Sequence, residues 1–544
     1  MRAVVERAAY RVEVSGTLAR LSAPDGRPWL ALRLLSAFDT TGAPDETLAA
    51  ETRVDGETIV VTRRSTVWDE AAVRLVCGET GLELASSVTG RGTLADVHLL
   101  AGRSAMPGAP TGVLPSGTSF DRLFSPNPGQ TPAVRSAGEQ AVLGVAGDGE
   151  PGRGHWIFTP APLFLAFRRD DEETWLGLGL TAPLDELSFV QAAYRAADRG
   201  FSLVLDYDGH TAVDGAFSAP TLVLTPGLAD PYEGIRREAP SREQPAWWRE
   251  PVFCGWGAQC HLAATHGGRA ADFATQERYD AFLQRLEQEG LVPGTVVIDD
   301  KWQAEYGPCE PDPKKWTDLK AWIADRHTRG QRVLLWWKAW DAEGLPPEHC
   351  VRNADGAPVA FDPSNPEACE ALSRIVARML AGDGLDADGL KVDFTARTPS
   401  GRTLTHHGPE WGMALLHRLL EVVYGAAKEA KPDALVMTHT PHAAFADVSD
   451  MIRLNDVISN GEGVVAQMRH RAAVARAACP ELLVDTDDWP MPSRAEWRDY
   501  VAAKVDLGVP SLYHVDHVDG SGEPLEADDY DALKRTWEQW RSRR

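Results

Sequence analysis

The alternation of apolar and polar residues changes its period near residue 245. Before that point, short segments alternate one by one and are bounded by Gly, Asp and Pro, which is typical of antiparallel strands. The clearest examples are 57–62, 72–77, 81–88, 165–167, 174–180 and 201–207. This repetition predicts a large antiparallel β-sandwich at the start of the chain.

After Pro251, short apolar segments alternate with helical patterns, such as the stripe of Tyr279, Phe282 and Leu286. Eight strand candidates occur, at 252–255, 295–298, 333–336, 389–392, 434–437, 451–454, 482–484 and 511–513. Eight such units predict an α/β TIM barrel, (β/α)8, preceded by the β-sandwich. We place the sandwich domain at 1–238, a linker at 239–250 and the barrel at 251–544.

Composition and charge exclude several classes of protein. The chain has 55 basic and 79 acidic residues, a net charge of −24, which disfavours binding to nucleic acid or anionic lipid. We find no apolar run of about 20 residues and no apolar core of a signal peptide near Met1. The seven cysteines are scattered and form no CxxC pair. We therefore expect a reduced, cytoplasmic location.

Chemistry in such a barrel lies at the carboxyl ends of the strands, so the residues that follow each strand are the candidates. They are rich in carboxylates and tryptophans. Breaking a glycosidic bond needs one carboxyl to protonate the leaving oxygen and one to stabilise or attack the anomeric carbon. Asp393 and Asp456 follow the fourth and sixth predicted strands, from which they can face each other across the barrel mouth.

Four segments carry a resemblance to a known family: Phe253-Cys-Gly-Trp-Gly, Val297-Ile-Asp-Asp-Lys-Trp-Gln303, Asp388-Gly-Leu-Lys-Val-Asp393 and Ile452-Arg-Leu-Asn-Asp456. From about Pro251 to His517 the chain resembles glycoside hydrolase family 36, of the α-galactosidase clan, in the style of its raffinose-synthase-like branch. That family also has an amino-terminal β-sandwich.

The resemblance implies roles for individual residues. It implies that Asp393 is the nucleophile and that Lys391, two residues earlier, contacts the sugar. It implies that Asp456 is the acid/base, with Arg453 beside it. It further implies that the paired carboxylates Asp299 and Asp300 bind sugar hydroxyls.

Three positions depart from the family pattern, so the identity of the sugar stays open. Lys301 replaces the usual glycine after the paired aspartates. Trp337 and Lys338 replace the acidic residue near the end of the third strand. Leu-Asn precedes Asp456 where a serine is commoner. Lys301 and Lys338 are either solvated lysines or ligands of an anionic sugar substituent.

Other candidates rest on the residues alone. Trp256 and Trp337 either stack on the sugar or pack the barrel. His439 is a candidate hydrogen-bond donor to the substrate. The pair Asp487-Asp488 precedes a tryptophan and is placed to close the pocket, and we selected Asp488. Two rivals for the acid/base also lie near the sixth strand, and these are Asp447 and Asp450.

The sequence thus predicts a retaining exo-acting α-glycosidase, α-galactosidase-like, that needs no cofactor and acts on an oligosaccharide or glycoside. A transglycosylase of the raffinose-synthase type is the nearest alternative. A metal-dependent barrel hydrolase is another, built on histidines and a carboxylate: His439, His442, His514, Asp516 and His517. A non-catalytic glycan-binding protein is the third, and a homo-oligomer is left open.

Overall fold

A computed structural model describes residues 2–101, 114–115, 119–127, 133–137, 142–144, 160–181, 186–195, 200–458 and 462–543. Its described strands before residue 230 form two antiparallel sheets. The first sheet contains Arg2–Glu6, Arg11–Ser15, Leu18–Ser22 and Pro28–Arg33. The second contains Ala37–Thr40, Thr47–Asp55, Thr58–Ser65, Glu70–Cys77, Leu82–His98, Leu114–Pro115, Arg122–Phe124, Val134–Ser136, Val142–Gly144, Phe164–Arg168, Trp175–Thr181, Phe189–Arg195, Gly200–Ser218 and Thr221–Leu228.

The predicted alternation reappears as alternating burial. Along Glu70–Cys77 every second side chain is buried, and Thr58–Ser65 shows the same period. The buried faces of both sheets join one apolar core, which also reaches the barrel. The prediction of an antiparallel sandwich domain is therefore confirmed, and all six segments named from the sequence lie in strands.

The second half of the chain forms one sheet of eight strands, paired in parallel, that curves into a barrel. The strands are Val252–Cys254, Thr295–Ile298, Arg332–Lys338, Gly389–Asp393, Leu435–Thr438, Met451–Arg453, Leu483–Asp485 and Ser511–Leu512. Each lies within two residues of its predicted bounds. Next to the eighth strand, the backbone N–H of Val509 donates to the Val484 carbonyl oxygen of the seventh strand at 2.7 Å, and the N–H of Thr486 donates to the Val509 carbonyl oxygen at 3.1 Å.

Helices cover the outside of the barrel. They are Trp256–His266, Gln276–Gln288, Leu319–Thr328, Pro366–Leu380, Gly412–Ala430, Val464–Ala478, Arg494–Leu507 and Ala527–Ser542. The predicted stripe of Tyr279, Phe282 and Leu286 is buried on the second helix. After the fifth strand there is only the short 3-10 helix Ala443–Val448, because residues 439–450 are too few for a full helix and two turns.

A hairpin and short helices complete the described part. The strands Cys350–Arg352 and Pro358–Phe361 form the hairpin, between the third barrel strand and the fourth helix. The 3-10 helices Pro231–Ile235 and Ala246–Arg249 connect the antiparallel sheet to the first barrel strand. The exact domain bounds chosen from the sequence stay a prediction. Shorter 3-10 helices are Ala270–Phe273, Pro347–His349 and Thr395–Arg397.

The sandwich domain holds the loop that follows the fourth barrel strand. Asp208 Oδ2 accepts a hydrogen bond from the backbone N–H of Gly401 at 3.0 Å, and His210 Nε2 lies 3.0 Å from the carbonyl oxygen of the same glycine. The His210 ring stacks on Trp411, with 3.7 Å between the ring centroids. This loop starts directly after Asp393, so the first domain fixes part of the surroundings of the predicted nucleophile.

Candidate active site

Carboxylates from the ends of four barrel strands gather around one cavity of about 210 Å³. It lies where the strands end, as expected for this fold. Seven of the eleven site residues predicted from the sequence line it: Trp256, Asp299, Asp300, Lys391, Asp393, Arg453 and Asp456. The structure therefore brings together both predicted catalytic carboxylates and two of the predicted cations, Lys391 and Arg453. Their roles towards a sugar stay predictions.

Asp393 is fixed by hydrogen bonds on both carboxyl oxygens. Its Oδ1 accepts from Arg453 Nη2 and from the backbone N–H of Phe394, each at 2.9 Å. Its Oδ2 accepts from the indole N–H of Trp336 at 3.1 Å. Burial alone would raise the pKa of Asp393, but the positive charge of Arg453 outweighs it and holds that pKa well below its usual value. Asp393 is thus ionised at neutral pH, as a nucleophile must be.

Asp456 meets the same guanidinium from the other side. Its Oδ1 lies 3.3 Å from Arg453 Nη1, which also donates to Asp487 Oδ2 at 2.7 Å. The Asp456 side chain lines the cavity and is 47% exposed, while its carboxyl is close to the other charged groups of the wall. Partial burial raises the pKa of Asp456 to about 7 against the lowering effect of Arg453, and the charges of Asp487 and Asp393 raise it further. Asp456 can therefore hold a proton near neutral pH.

Lys391 and Asp299 form a buried ion pair at the base of the cavity. Lys391 Nζ lies 2.6 Å from Asp299 Oδ2, and each side chain is only 3% exposed. Burial lowers the pKa of Lys391, but the Asp299 carboxylate outweighs that effect and raises it. Lys391 thus remains charged. Lys391 forms its ion pair with Asp299 and not with Asp393. Asp393 is paired with Arg453 instead.

Aromatic rings form the apolar walls. Trp256 and Trp489 meet edge to face with 5.8 Å between their centroids. Trp336, Phe394 and Tyr513 also line the cavity. Flat apolar faces next to carboxylates suit a pyranose ring, which has an apolar C–H face and a rim of hydroxyls.

The backbone turns left-handed beside the key carboxylates. Phe394 has φ 61° directly after Asp393, and Asn455 has φ 64° directly before Asp456. Such a conformation costs of order 1–3 kcal/mol for a residue other than glycine and persists only where its surroundings impose it. At Phe394 this turn aims the backbone N–H at Asp393.

Two predicted residues lie one position away from the residues that face the cavity. Trp337 belongs to the apolar layer outside the barrel strands, because side chains alternate along a strand, and Trp336 faces the cavity instead. Asp488 is fully buried and pairs with Lys504 at 2.7 Å, whereas Asp487 lines the cavity. In each case the adjacent residue lines the cavity, and a role of Trp337 or Asp488 towards a sugar stays a prediction.

Two more predicted residues lie next to the cavity but not in its wall. Lys301 Nζ binds Glu343 Oε2 at 2.6 Å. His439 is buried beneath Asp393, with Nδ1 3.8 Å from Asp393 Oδ1 and Nε2 2.7 Å from Thr395 Oγ1. Burial lowers the pKa of His439 to about 4, so the ring is neutral near pH 7. The positions of Lys301 and His439 do not favour direct contact with a sugar in this cavity.

The two rivals for the acid/base lie elsewhere. Asp450 precedes the sixth strand, at the opposite end of the barrel, and binds Lys428 at 2.7 Å. Asp447 is exposed and lies 3.2 Å from His417. Asp456 is the carboxylate of this region that reaches the cavity.

The sequence reasoning missed five residues of the cavity wall: Trp336, Phe394, Asp487, Trp489 and Tyr513. A signal existed for one of them. Asp393 pairs with Lys338 and Lys391 with Trp336 between adjacent parallel strands, so these four side chains share a face. The period of two therefore selects Trp336. The positions of Asp487 and Phe394 in the wall depend on their left-handed backbone conformation, which no local sequence pattern predicted.

The histidines considered as metal ligands are not gathered into a site. Among the residues described, no group of three or more His, Cys, Asp or Glu side chains could hold a metal ion. Across the same described ranges, none of the helices has the length and apolar character needed to span a membrane.

Comparison with known proteins gives no match by sequence and clear matches by structure. No family model matches the chain, and no curated protein matches it. Among solved structures, the α-galactosidase TtGalA of Thermus thermophilus, in complex with p-nitrophenyl α-D-galactopyranoside, is 17% identical with a TM-score of 0.54. The match covers 90% of this chain and 94% of that one.

Two further solved structures extend the comparison. A sulfoquinovosidase of family GH31 from E. rectale is 11% identical with a TM-score of 0.61, over 97% of this chain and 82% of that one. The GH36 α-galactosidase AgaA of Geobacillus stearothermophilus, in complex with raffinose, is 13% identical with a TM-score of 0.53, over 97% and 76%. The chain has the fold of these enzymes. The resemblance first seen in four short segments is thus confirmed for the fold of both domains.

Proposed function

We propose that the chain is a retaining, exo-acting α-glycosidase of the α-galactosidase type, a member of glycoside hydrolase family 36. One observation carries this proposal: Asp393 and Asp456 both bind Arg453, and their pKa values are shifted in opposite directions. Asp393 is held ionised, whereas the pKa of Asp456 is raised to about 7, within one cavity. Two carboxyls with separated pKa values are the arrangement that divides nucleophile from acid. The fold shared with α-galactosidases supports the same conclusion.

In the first step, Asp393 attacks the anomeric carbon while the bond to the leaving oxygen breaks. Asp456 gives its proton to that oxygen, so the aglycone leaves as an alcohol. Arg453 and the Trp336 N–H keep the attacking carboxylate oriented throughout. The product of this step is a glycosyl ester on Asp393.

In the second step, Asp456 takes a proton from water and the water oxygen attacks the anomeric carbon, releasing Asp393. Esterification removes the negative charge of Asp393, which is one of the charges that raise the pKa of Asp456. The pKa of Asp456 therefore falls after the first step. Asp456 then stays a carboxylate, which can accept a proton from water when a base is needed.

The cavity volume of about 210 Å³ suits a single sugar ring, which supports exo action on a terminal residue. Asp300 offers its carboxylate to hydroxyls from the second strand, and the tryptophans offer apolar faces. We also propose a cytoplasmic location, supported by seven cysteines that are all unpaired.

The test is a panel of aryl α- and β-glycosides, with NMR of the first sugar released. We expect turnover of α-glycosides, α-galactoside above all, and the α-anomer as first product. Release of the β-anomer first would contradict the retaining mechanism. Turnover of β-glycosides alone would contradict the family assignment.

A further inference from the structure

Two lysines that depart from the family pattern both contact the ring of one tyrosine. Lys301 Nζ lies 4.0 Å from the centroid of the Tyr306 ring, and Lys338 Nζ lies 3.9 Å from it. Both lysine side chains are largely shielded, with 18% and 14% exposed. Ammonium groups at this distance are attracted to the face of an aromatic ring, more strongly when water is excluded.

Carboxylates hold both lysines in place. Lys301 binds Glu343 and Lys338 binds Asp341, each at 2.6 Å. Glu343 Oε2 also accepts the backbone N–H of Tyr306 at 2.9 Å. Tyr306 is therefore held by the contacts of its ring with both ammonium groups and by its own backbone.

The hydroxyl of this tyrosine reaches the cavity wall. Tyr306 donates to Asp300 Oδ1 at 2.9 Å, and Asp300 lines the cavity. We propose that Tyr306 is a positioning residue, held by contacts of its ring with Lys301 and Lys338, that fixes the Asp300 carboxylate to accept hydrogen bonds from hydroxyls of a neutral sugar. This inference rests on the proposed glycosidase function.

The charge of the site supports a neutral sugar. The cavity wall contains five aspartates against Lys391 and Arg453, and both of these cations already bind carboxylates. Lys301 and Lys338 are likewise paired. An anionic substituent would meet an excess of negative charge and no unpaired ammonium among these four. The geometry thus answers the choice left open for the two lysines.

The variant Tyr306→Phe removes the hydroxyl and keeps the ring that contacts the two ammonium groups. We expect KM for the preferred aryl α-glycoside to rise about tenfold or more with kcat nearly unchanged, because binding of the sugar is lost equally in ground and transition states. Burial, followed by the charge of Asp299, raises the pKa of Asp300 to about 6, whereas the Tyr306 hydrogen bond lowers it. The rise of KM on acidification should therefore begin at a higher pH in the variant.

Tyr424→Phe is the matched control. Tyr424 donates to Asp450 Oδ1 at 3.0 Å, the same kind of bond, at the far end of the barrel. It should lower the melting temperature without changing KM or its pH profile. If Tyr306→Phe behaves in the same way, Tyr306 is only a structural residue and the proposal is overturned.

Lys301→Met and Lys338→Met remove one ammonium each and keep the unbranched stem. Each should raise KM less than Tyr306→Phe, and neither should change the preference of the enzyme between a neutral galactoside and a glucuronide. A preference for the glucuronide that disappears in Lys301→Met would overturn the assignment of the lysines to Tyr306.

Binding of free galactose and glucose, measured by calorimetry on wild type and Tyr306→Phe, separates the two proposals. Active wild type with equal affinities in the variant would overturn the role of Tyr306 alone. A wild-type chain that neither hydrolyses the glycosides nor binds the sugars would overturn the proposed function and the role of Tyr306 with it.

Discussion

Asp393 and Asp456 bind opposite nitrogens of one guanidinium, that of Arg453, at 2.9 and 3.3 Å. The negative charge of Asp393 is one cause of the raised pKa of Asp456. The protonation of one carboxyl thus depends on the chemical state of the other. This dependence gives each carboxyl a separate experimental signature.

Asp393→Ala should abolish turnover while the protein stays folded, because no covalent intermediate can form. We expect a loss of several orders of magnitude in kcat, with partial rescue by azide or formate on an activated aryl glycoside. Asp447→Ala is the control, since Asp447 is an exposed carboxylate away from the cavity. More than about a tenth of wild-type activity in Asp393→Ala would refute the assignment.

Asp456→Ala should slow substrates with poor leaving groups far more than those with good ones, because only the former need the proton. The pKa of Asp456 is raised to about 7, so its protonated form declines as the pH rises through that value. In wild type, kcat/KM should therefore fall on the alkaline side near pH 7. The variant should lose this limb. Equal losses with both kinds of leaving group would argue against Asp456.

Trp336→Phe should lower kcat/KM about ten- to a hundredfold, because it removes a hydrogen bond of roughly 1.5–3 kcal/mol to the Asp393 carboxylate while it keeps an aromatic ring. Trp337→Phe, one residue along the strand, faces the outer apolar layer and should affect stability only. The two variants are compared by steady-state kinetics and by urea unfolding. The reverse ranking in kcat/KM would contradict the orientation of this strand.

Lys391→Met should cost about 3–5 kcal/mol in the free energy of unfolding, because it leaves the buried Asp299 carboxylate without its partner. Adding Asp299→Asn should recover part of that loss. Urea unfolding of wild type, single and double variants measures the coupling. Additive losses would mean that the pair does not interact.

The sequence predicted most of this architecture, because period-two and period-3.6 patterns report burial directly. Strand Gly389–Asp393 with Lys391 and Asp393 on one face is an example. Two predicted site residues lie one position away from the residues that line the cavity, and both differences have one physical origin. The choices between Trp336 and Trp337, and between Asp487 and Asp488, depend on which side of the strand or turn faces the barrel mouth. Asp487 has φ 49°, and this turn decides the second case.

The contacts of Tyr306 with Lys301 and Lys338 could not be predicted from the sequence. The two lysines follow or end neighbouring strands, and only the pairing of these strands brings them to the same ring. Lys301 was noticed because it departs from the family pattern. The sequence did not indicate that its ring partner is Tyr306, five residues further along the chain.

Asp208 and His210 hold Gly401 through hydrogen bonds, so the proposed catalysis would depend on a domain that supplies no carboxylate to the cavity. Opening of the antiparallel domain in mild denaturant would release the loop after Asp393 while the barrel strands remained paired. Turnover would then be lost before the helical circular-dichroism signal. The amino-terminal domain would then act as a scaffold whose integrity sets the range of conditions in which the chain is active.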